Sequence, residues 1–595
     1  MINSKTLYSL LENHAKLDTP FLVTHNHQYS YQDLLHHIHL MCGAFEKLKL
    51  KKQDRVGLWT ESPFWHAVVS WSGLLMGISI VVVPAMKNTH ATIQLAQKYR
   101  CKICVYDDGV DTYLEDCSRT KLSRFFFNEK KFNLPKLLRG IQPIMPAYEA
   151  LGRDTAFVVF SSGTTGKQKG IRWSYTALLT HFETNIKLFK YQPGMALCNG
   201  LSLEHPDGFF NGYLMCALTG MTWIRPDKFS FSNLPKWNQL MLKHRANILV
   251  GVPSMFEMLL YADSSNDGAS SLDAFVNLNF ILSTADKIKP STWRELEKRY
   301  AKVGNIFGLS ETVNGGIYTL PGDADNFETV GFPVDLEVKI VGEQGETLGL
   351  ARQGILAVKG ESLFDGYETE ESFEPIVLHD GWFYTSDFAM QQVSGRIQIL
   401  GRVGEARNIG GLLVHPNEVD ALLQTIPGIK ASKTIFVKSK AGLQEEQLVS
   451  FIVAVEQVDV ERMKKELSSK LESQKIPRDI LTLDQLPISV AGKVDKFALT
   501  QEYQSRKGNA VPTGHQQNLE DQVLSIAAIT LGMPAEQLSL DKVQADTIGW
   551  DSFGHINLAL AIESHFGIKF TFDEVTQMQT LGDFVVNIMH KQKES

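Results

Sequence analysis

The sequence predicts an α/β protein that ends in a small all-helical domain. From Tyr31 to about Thr500, short β-branched runs such as ILVGV (248–252) and FVVF (157–160) alternate with amphipathic helical stretches. The stretch QSRKGNAVPTGHQQN, 504–518, is polar, holds Gly and Pro and has no apolar period, the composition of a flexible linker. Beyond it, LEDQVLSIAAITLG and SFGHINLALAIESHFGI carry helical periodicity and no convincing strand pattern follows.

A chain of 595 residues is too long for one core, so several domains are expected. The α/β pattern resets around Gly401-Arg402-Val403-Gly404, and a smaller α/β segment runs to about Leu499. The expected layout is a large core over 1–400, a small subdomain over 401–503, a linker over 504–518 and a helical bundle over 519–595.

Composition narrows the function classes. Hydrophobic residues make up 44% and charged residues 21%, as in ordinary globular proteins. The N-terminal MINSKTLYSLLENHAK is broken by polar residues before a signal-peptide core could form, and the apolar stretch Gly73 to Met86 is too short to span a bilayer, so a cytoplasmic protein is expected. Six scattered cysteines make no disulfide framework. Cys101 and Cys104 form a lone CxxC in an apparent strand and suit burial better than a metal site. From His515 onward eleven acidic residues face four basic ones, so the formal charge of −7 belongs to the helical tail. No basic stripe offers a nucleic-acid surface, and an acidic small domain suits docking on basic protein surfaces.

The most informative string is FVVFSSGTTGKQKG, 157–170, an apolar strand followed by three glycines, four hydroxyls and two lysines. Exposed backbone N–H groups, hydroxyls and a lysine charge together make a phosphate cradle. Only two residues separate Gly163 from Gly166-Lys167 and no Ser/Thr follows the lysine, which excludes a Walker A loop. Ser161, Ser162, Gly163, Thr164, Thr165, Gly166 and Lys169 are the candidate phosphate ligands.

The string resembles the phosphate loop of the adenylate-forming (ANL) superfamily, which includes acyl-CoA synthetases, nonribosomal adenylation domains and luciferases, with Gln168 in place of the usual Pro. Four more strings resemble the superfamily's motifs in its order. NIFGLSETVNG (305–315) matches the aromatic-Gly-x-Thr-Glu motif through Phe307, Gly308, Ser310 and Glu311, and the resemblance implies that Glu311 helps hold Mg²⁺, apt for a hard carboxylate. YTSDFA (384–389) implies that Asp387 accepts hydrogen bonds from the ribose hydroxyls. GRVGEARNIGGLLVHPNEVD (401–420) resembles the hinge region, placing Arg402 near the ribose and Gly410-Gly411 near the thiol's approach. LPISVAGKVDKFAL (486–499) implies that Lys493 bridges the carboxylate and the α-phosphate. The resemblance covers roughly residues 20–500 and implies a large domain with mixed sheets and a small mobile subdomain. Gly404 stands at the usual Asp/Lys hinge position, Asn408 replaces a lysine, and Ser283-Thr284-Ala285 replaces a Gly-Gly-Ala-like turn beside the adenine, making Thr284 a candidate there.

GWDSFGHINLALAIESHFGI, 549–568, resembles the phosphopantetheine attachment site of carrier proteins, with Ser552 as acceptor and Phe553 where Leu is commoner; Asp551 or Ser552 could equally be a plain helix cap. The carrier resemblance implies a four-helix bundle, 4'-phosphopantetheine and a transferase to attach it. Together the resemblances imply ATP- and Mg²⁺-dependent activation of a carboxylic acid and loading of the chain's own carrier, for delivery to a downstream biosynthetic enzyme that docks on the acidic carrier.

The acid is read from LSLEHPDGFFNGYLMCAL, 201–218. His205 and Gly208 resemble the element beside the carboxylate in acyl- and aryl-activating members. Phe209, Phe210, Tyr213, Leu214 and Met215 suit either an apolar pocket or simple helix packing, and Asp207 could hold an amino acid's ammonium. A medium- or long-chain fatty acid is the expectation, with amino and aryl acids as alternatives. The layout resembles that of fatty acyl ligase–carrier didomains of natural-product pathways, the tambjamine loading type among them. An acyl-CoA synthetase and a non-catalytic carrier scaffold are the competing classes.

Overall fold

The computed structural model describes the chain apart from residues 1–3, 85–88, 108–119, 125–130, 134–137, 147–151, 162–168, 228, 230–232, 266–274, 286, 324–326, 343, 370–371, 403–406, 410–411, 415, 439–445, 456–457, 469, 472–474, 488–493, 509–518, 532–537, 544–549, 551 and 595. The expected α/β architecture is present. Among the described residues two nine-stranded sheets organise the large domain. The first has Ala196–Asn199, Ile248–Gly251, Phe280–Ser283 and Lys302–Gly308 running parallel near its centre. The second contains the antiparallel pair Thr155–Ser161 and Lys169–Ser174, joined to the parallel strands Ser79–Val82, Arg55–Trp59 and Ile103–Asp107.

Strand alternation places the cores. Ile248 and Val250 point into the main core, shared with Phe157, Val159, Ile171 and Trp173 of the second sheet, whereas Leu249 points to a second core under the helices Leu234–Lys243, Pro253–Ser265 and Pro290–Arg299. The first sheet is therefore buried on both faces, which explains its continuous apolar runs. Helix starts follow local chemistry: Ser30 and Asp33 form a capping box at Tyr31–Lys47, and Ser62 followed by proline opens Pro63–Met76, which Gly77 closes at φ 69°. Cys104 lies in the strand Ile103–Asp107; burial pushes its thiol and that of Cys101 above the ordinary range.

A five-stranded sheet follows, ending in the neighbours Phe383–Gln391 and Ile397–Arg402. The next segment pairs Ile429–Lys438, Glu446–Ala454 and Asp479–Thr482 in a small sheet. Its last helix, Lys496–Gly508, occupies the first residues of the stretch read as a linker, while 509–518 lie outside the described residues. The tail contains the helices Leu519–Leu531, Ser552–Phe566, Phe572–Gln577 and Leu581–Glu594 around Val523, Trp550, Leu558, Ile562, Phe584 and Ile588. Among the described residues no helix is long and apolar enough to cross a membrane.

Candidate active site

The candidate groups gather where the parallel strands end. Asn199 leads into His205–Gly208, Ser283 into Thr284, and Gly308 into Glu311, all at carboxyl ends of the first sheet. The glycine- and hydroxyl-rich loop belongs to the second sheet. Ser161 pairs with Lys169 and Phe160 with Gly170, so the loop is the connection of a β-hairpin. Ser162, Gly163, Thr164, Thr165 and Gly166 lie outside the described residues, and of Ser161 only the backbone is described. Lys169 is placed: its Nζ lies 3.7 Å from the Glu374 carboxylate and 5.3 Å from the centroid of the Tyr367 ring.

Gly308 pairs with Gly316 across a hairpin so tight that a Cβ at Gly308 would lie 2.1 Å from the Gly315 nitrogen. Phe307, half-buried, precedes it, and the short helical turn Ser310–Thr312 follows. This turn is held from two sides. Trp173 Nε1 donates to the Ser310 carbonyl at 2.7 Å and the Tyr367 hydroxyl to Glu311 Oε1 at 2.9 Å, both from the sheet that carries the phosphate hairpin. On the other side Asn314 Nδ2 donates to Asp207 Oδ1 at 2.6 Å. Val313 and Asn314 take left-handed conformations, φ 51° and 69°, strained for a β-branched residue, and these bonds hold them there.

Around the acid motif, His205 is exposed and stands at the N-cap position of the short helix Pro206–Phe209 with no side-chain capping bond, while Asp207 is buried. Burial pushes the Asp207 carboxyl above its ordinary range, against the opposing influence of Thr284, Asn314, His205 and Asn211. Gly208 admits no other residue without movement, because a Cβ would lie 1.9 Å from the Ser202 carbonyl oxygen. Thr284 is buried, and its amide donates to the Gly251 carbonyl at 3.0 Å; Ala285 beyond it has φ 69°. Phe209 and Tyr213 are core residues with no exposure: Phe209 stacks on Phe157 at 5.5 Å, and the Tyr213 hydroxyl lies 2.8 Å from both His66 Nδ1 and Ser70 Oγ. The helix breaks at Asn211 and Gly212, where Asn199 Nδ2 donates to the carbonyls of Asp207 and Asn211 at 2.8 and 2.9 Å.

Asp387 and Arg402 face each other on adjacent strands, with Arg402 Nε 2.9 Å from Asp387 Oδ1. Asp387 is buried and Arg402 half exposed. Lys493, Gly404 and Gly410-Gly411 lie outside the described residues, and of Asn408 the backbone alone is described. On either side of 488–493, Asp495 N donates to the Pro487 carbonyl at 2.8 Å.

In the tail, Ser552 is the first residue of the helix Ser552–Phe566. Trp550, just before it, is buried and its Nε1 donates to His555 Nδ1 at 3.1 Å; His555 Nε2 in turn donates to the Val575 carbonyl at 2.8 Å. A helix N-terminus suits the phosphodiester that a pantetheine arm on Ser552 would place there.

A family profile described as AMP-binding enzyme matches residues 11–368. The chain belongs to the AMP-binding enzyme family. A second profile, phosphopantetheine attachment site, matches residues 521–585 of this AMP-binding enzyme. Tyrocidine synthase 3 of Brevibacillus parabrevis is 24% identical over 454 residues, 74% of this chain; the chain spans 7% of that much longer protein. The D-alanine–D-alanyl carrier protein ligase of Lacticaseibacillus casei is 27% identical over 379 residues, 60% of this chain and 72% of the ligase. The crystal structure of apo MatB from Rhodopseudomonas palustris shares the fold with a TM-score of 0.69 at 23% identity, over 85% of this chain and 100% of that one.

Sequence reading missed Tyr367, Trp173 and the bond from Asn314 to Asp207. Asn314 lies inside a string already singled out, but nothing in one sequence pairs it with a residue 107 positions away.

Proposed function

We propose that the chain activates a carboxylic acid with ATP, forming the acyl-adenylate and releasing pyrophosphate, and passes the acyl group to a thiol arm carried on its own Ser552. One observation supports this most: the turn Ser310–Thr312 and the residues after it are bonded on one side to the hairpin that bears Lys169 and on the other to Asp207 of the acid motif. Nucleotide phosphates and substrate carboxylate thus have candidate partners around a single turn.

Ser161–Gly166 and Lys169 hold the phosphates. Glu311 suits Mg²⁺ as an oxygen donor, half-buried and without an ion-pair partner among the described residues. Mg²⁺, when bound, would neutralise phosphate charge. Asp387 and Arg402 face the ribose, Phe307 and Thr284 flank the base, and Gly308 with Ser310 shapes the turn. His205 lies beside the substrate carboxylate, and Lys493 stabilises the charge that develops on the α-phosphate. A separate transferase attaches the phosphopantetheine, and a downstream enzyme takes the product from the acidic carrier.

The acid in this proposal is a medium- or long-chain fatty acid, a reading that rests on the resemblance of His205 and Gly208 to the element beside the carboxylate in acyl-activating members, since Phe209 and Tyr213 pack into the core. Asp207 favours a second reading, an amino acid. It is a buried carboxyl that receives an amide N–H and no cationic side chain within salt-bridge distance among the described residues, and a substrate ammonium would supply the missing charge. A relative named for D-alanine agrees with that reading.

ATP–pyrophosphate exchange across fatty, amino and aryl acids tests both. Exchange with fatty acids alone supports the first reading, and exchange with amino acids alone the second. Exchange with none, from folded protein, overturns adenylation and favours a carrier scaffold. Lys493→Ala is expected to lower exchange at least ~100-fold. Coexpression with a broad transferase should add one arm to the intact mass, absent in Ser552→Ala; acyl-CoA release faster than self-acylation would instead mark a free synthetase.

A further inference from the structure

Tyr367 belongs to no motif read from the sequence, yet it touches both candidate phosphate-side groups that the structure places. It sits at the centre of the strand Gly366–Glu368, paired with Ile171 on one side and Glu374 on the other. Strand alternation sends its ring to the face opposite Glu368, whose buried carboxylate is held by Arg55, Arg100 and Arg172. That charge cluster anchors the back of the strand. On the front, the hydroxyl reaches Glu311 Oε1 at 2.9 Å, while Lys169 Nζ lies 5.3 Å from the ring centroid. A carboxylate oxygen only accepts, so the phenol is the donor in this bond.

A carboxylate at the end of a flexible side chain binds a cation weakly unless its orientation is held, and a hydrogen bond to one oxygen does that while leaving the other free. Lys169 over the ring couples the same phenol to the strand that leaves the phosphate loop. We propose that Tyr367 is the positioning residue for Glu311, fixing the carboxylate so that Oε2 is presented to the metal that accompanies the nucleotide. This rests on the reading of Glu311 as a metal ligand. Trp173 provides an internal comparison, since it tethers the same turn through the Ser310 backbone and leaves the carboxylate untouched.

The experiment titrates Mn²⁺ into the full-length protein with ATP and no acid, following free Mn²⁺ by electron paramagnetic resonance, and records melting temperatures in parallel. Tyr367→Phe is expected to weaken Mn²⁺ binding about 10-fold or more with little change in melting, and the double variant Tyr367→Phe/Glu311→Gln should bind no worse than Glu311→Gln alone. Trp173→Phe should change Mn²⁺ affinity far less than Tyr367→Phe. If Glu311→Gln loses Mn²⁺ while Tyr367→Phe binds as wild type, the positioning role is wrong. Equal losses in Trp173→Phe and Tyr367→Phe would also overturn it, by tracing the effect to the turn's backbone. If Glu311→Gln binds Mn²⁺ as wild type, the metal reading itself fails and the proposal with it. Should Tyr367→Phe melt early, 4-aminophenylalanine in place of Tyr367 restores an N–H donor at the same reach: recovered Mn²⁺ binding supports the role, and recovered stability with weak Mn²⁺ binding overturns it.

Discussion

Gly208 shows how one missing side chain fixes a site. Its Cα faces the Ser202 carbonyl so closely that a methyl group would sit 1.9 Å from the oxygen, so Gly208→Ala must displace backbone and not merely a side chain. The expected cost is at least ~2 kcal/mol, read as a lower urea midpoint. Gly349→Ala, where a Cβ meets nothing within 4 Å, should stay within about 0.5 kcal/mol, and equal effects would refute the steric account. His66 gives a pH prediction. Burial and the Arg225 charge push it down to about 3, so the native state holds it neutral where an unfolded chain would charge it near pH 6.5. A depressed native value means stability that is complete above pH 6.5 and lost as pH falls toward 3, at ~1.4 kcal/mol per pH unit. The core transition is expected at lower urea at pH 5 than at pH 7, and His66→Gln should flatten that dependence.

At the scale of elements, the carrier's helix Phe572–Gln577 is short and relies on its cap: Thr571 and Glu574 form a reciprocal capping box. Thr571→Ala is expected to cost the tail domain ~1 kcal/mol, measured on its own thermal transition. The sequence revealed this kind of element well, because apolar period, caps and turn residues act within a few positions. Strand runs such as 248–252 and 157–160 and the helix opening at Ser552 were legible for that reason. Much of the site was not. The string 157–170 announced a phosphate loop, but the returning strand's second partner, Gly366–Glu368, lies nearly two hundred residues on and was not legible. The break at Asn211–Gly212 was hidden as well, since an apolar stripe looks the same whether the helix is continuous or interrupted, and its stabilising partner Asn199 lies on another element. Phe209 and Tyr213, expected at a substrate wall, are fully covered by neighbouring rings and side chains, which a single sequence cannot distinguish from a pocket.

For the whole molecule, the proposed function would join a ligase to its own acceptor, and that changes the kinetics. A carrier on a short polar tether faces its own ligase at an effective concentration of about 1 mM, far above typical protein concentrations. Loading per chain is expected to be independent of protein concentration. Mixing Ser552→Ala, which removes the proposed acceptor, with Lys493→Ala, which removes the proposed adenylation lysine, should load at least ~10-fold more slowly at micromolar protein, as followed by intact mass; loading at the wild-type rate would show exchange between chains. The turn Ser310–Thr312 and its following residues link scales in another way. Because Asn314 is bonded to Asp207 while Glu311 is bonded to Tyr367, the two halves of the site share a brace. With Asp207 on the proposed acid side and Glu311 on the proposed nucleotide side, recutting one for a new substrate would detune the other, and a designer, or natural selection, would have to retune both together.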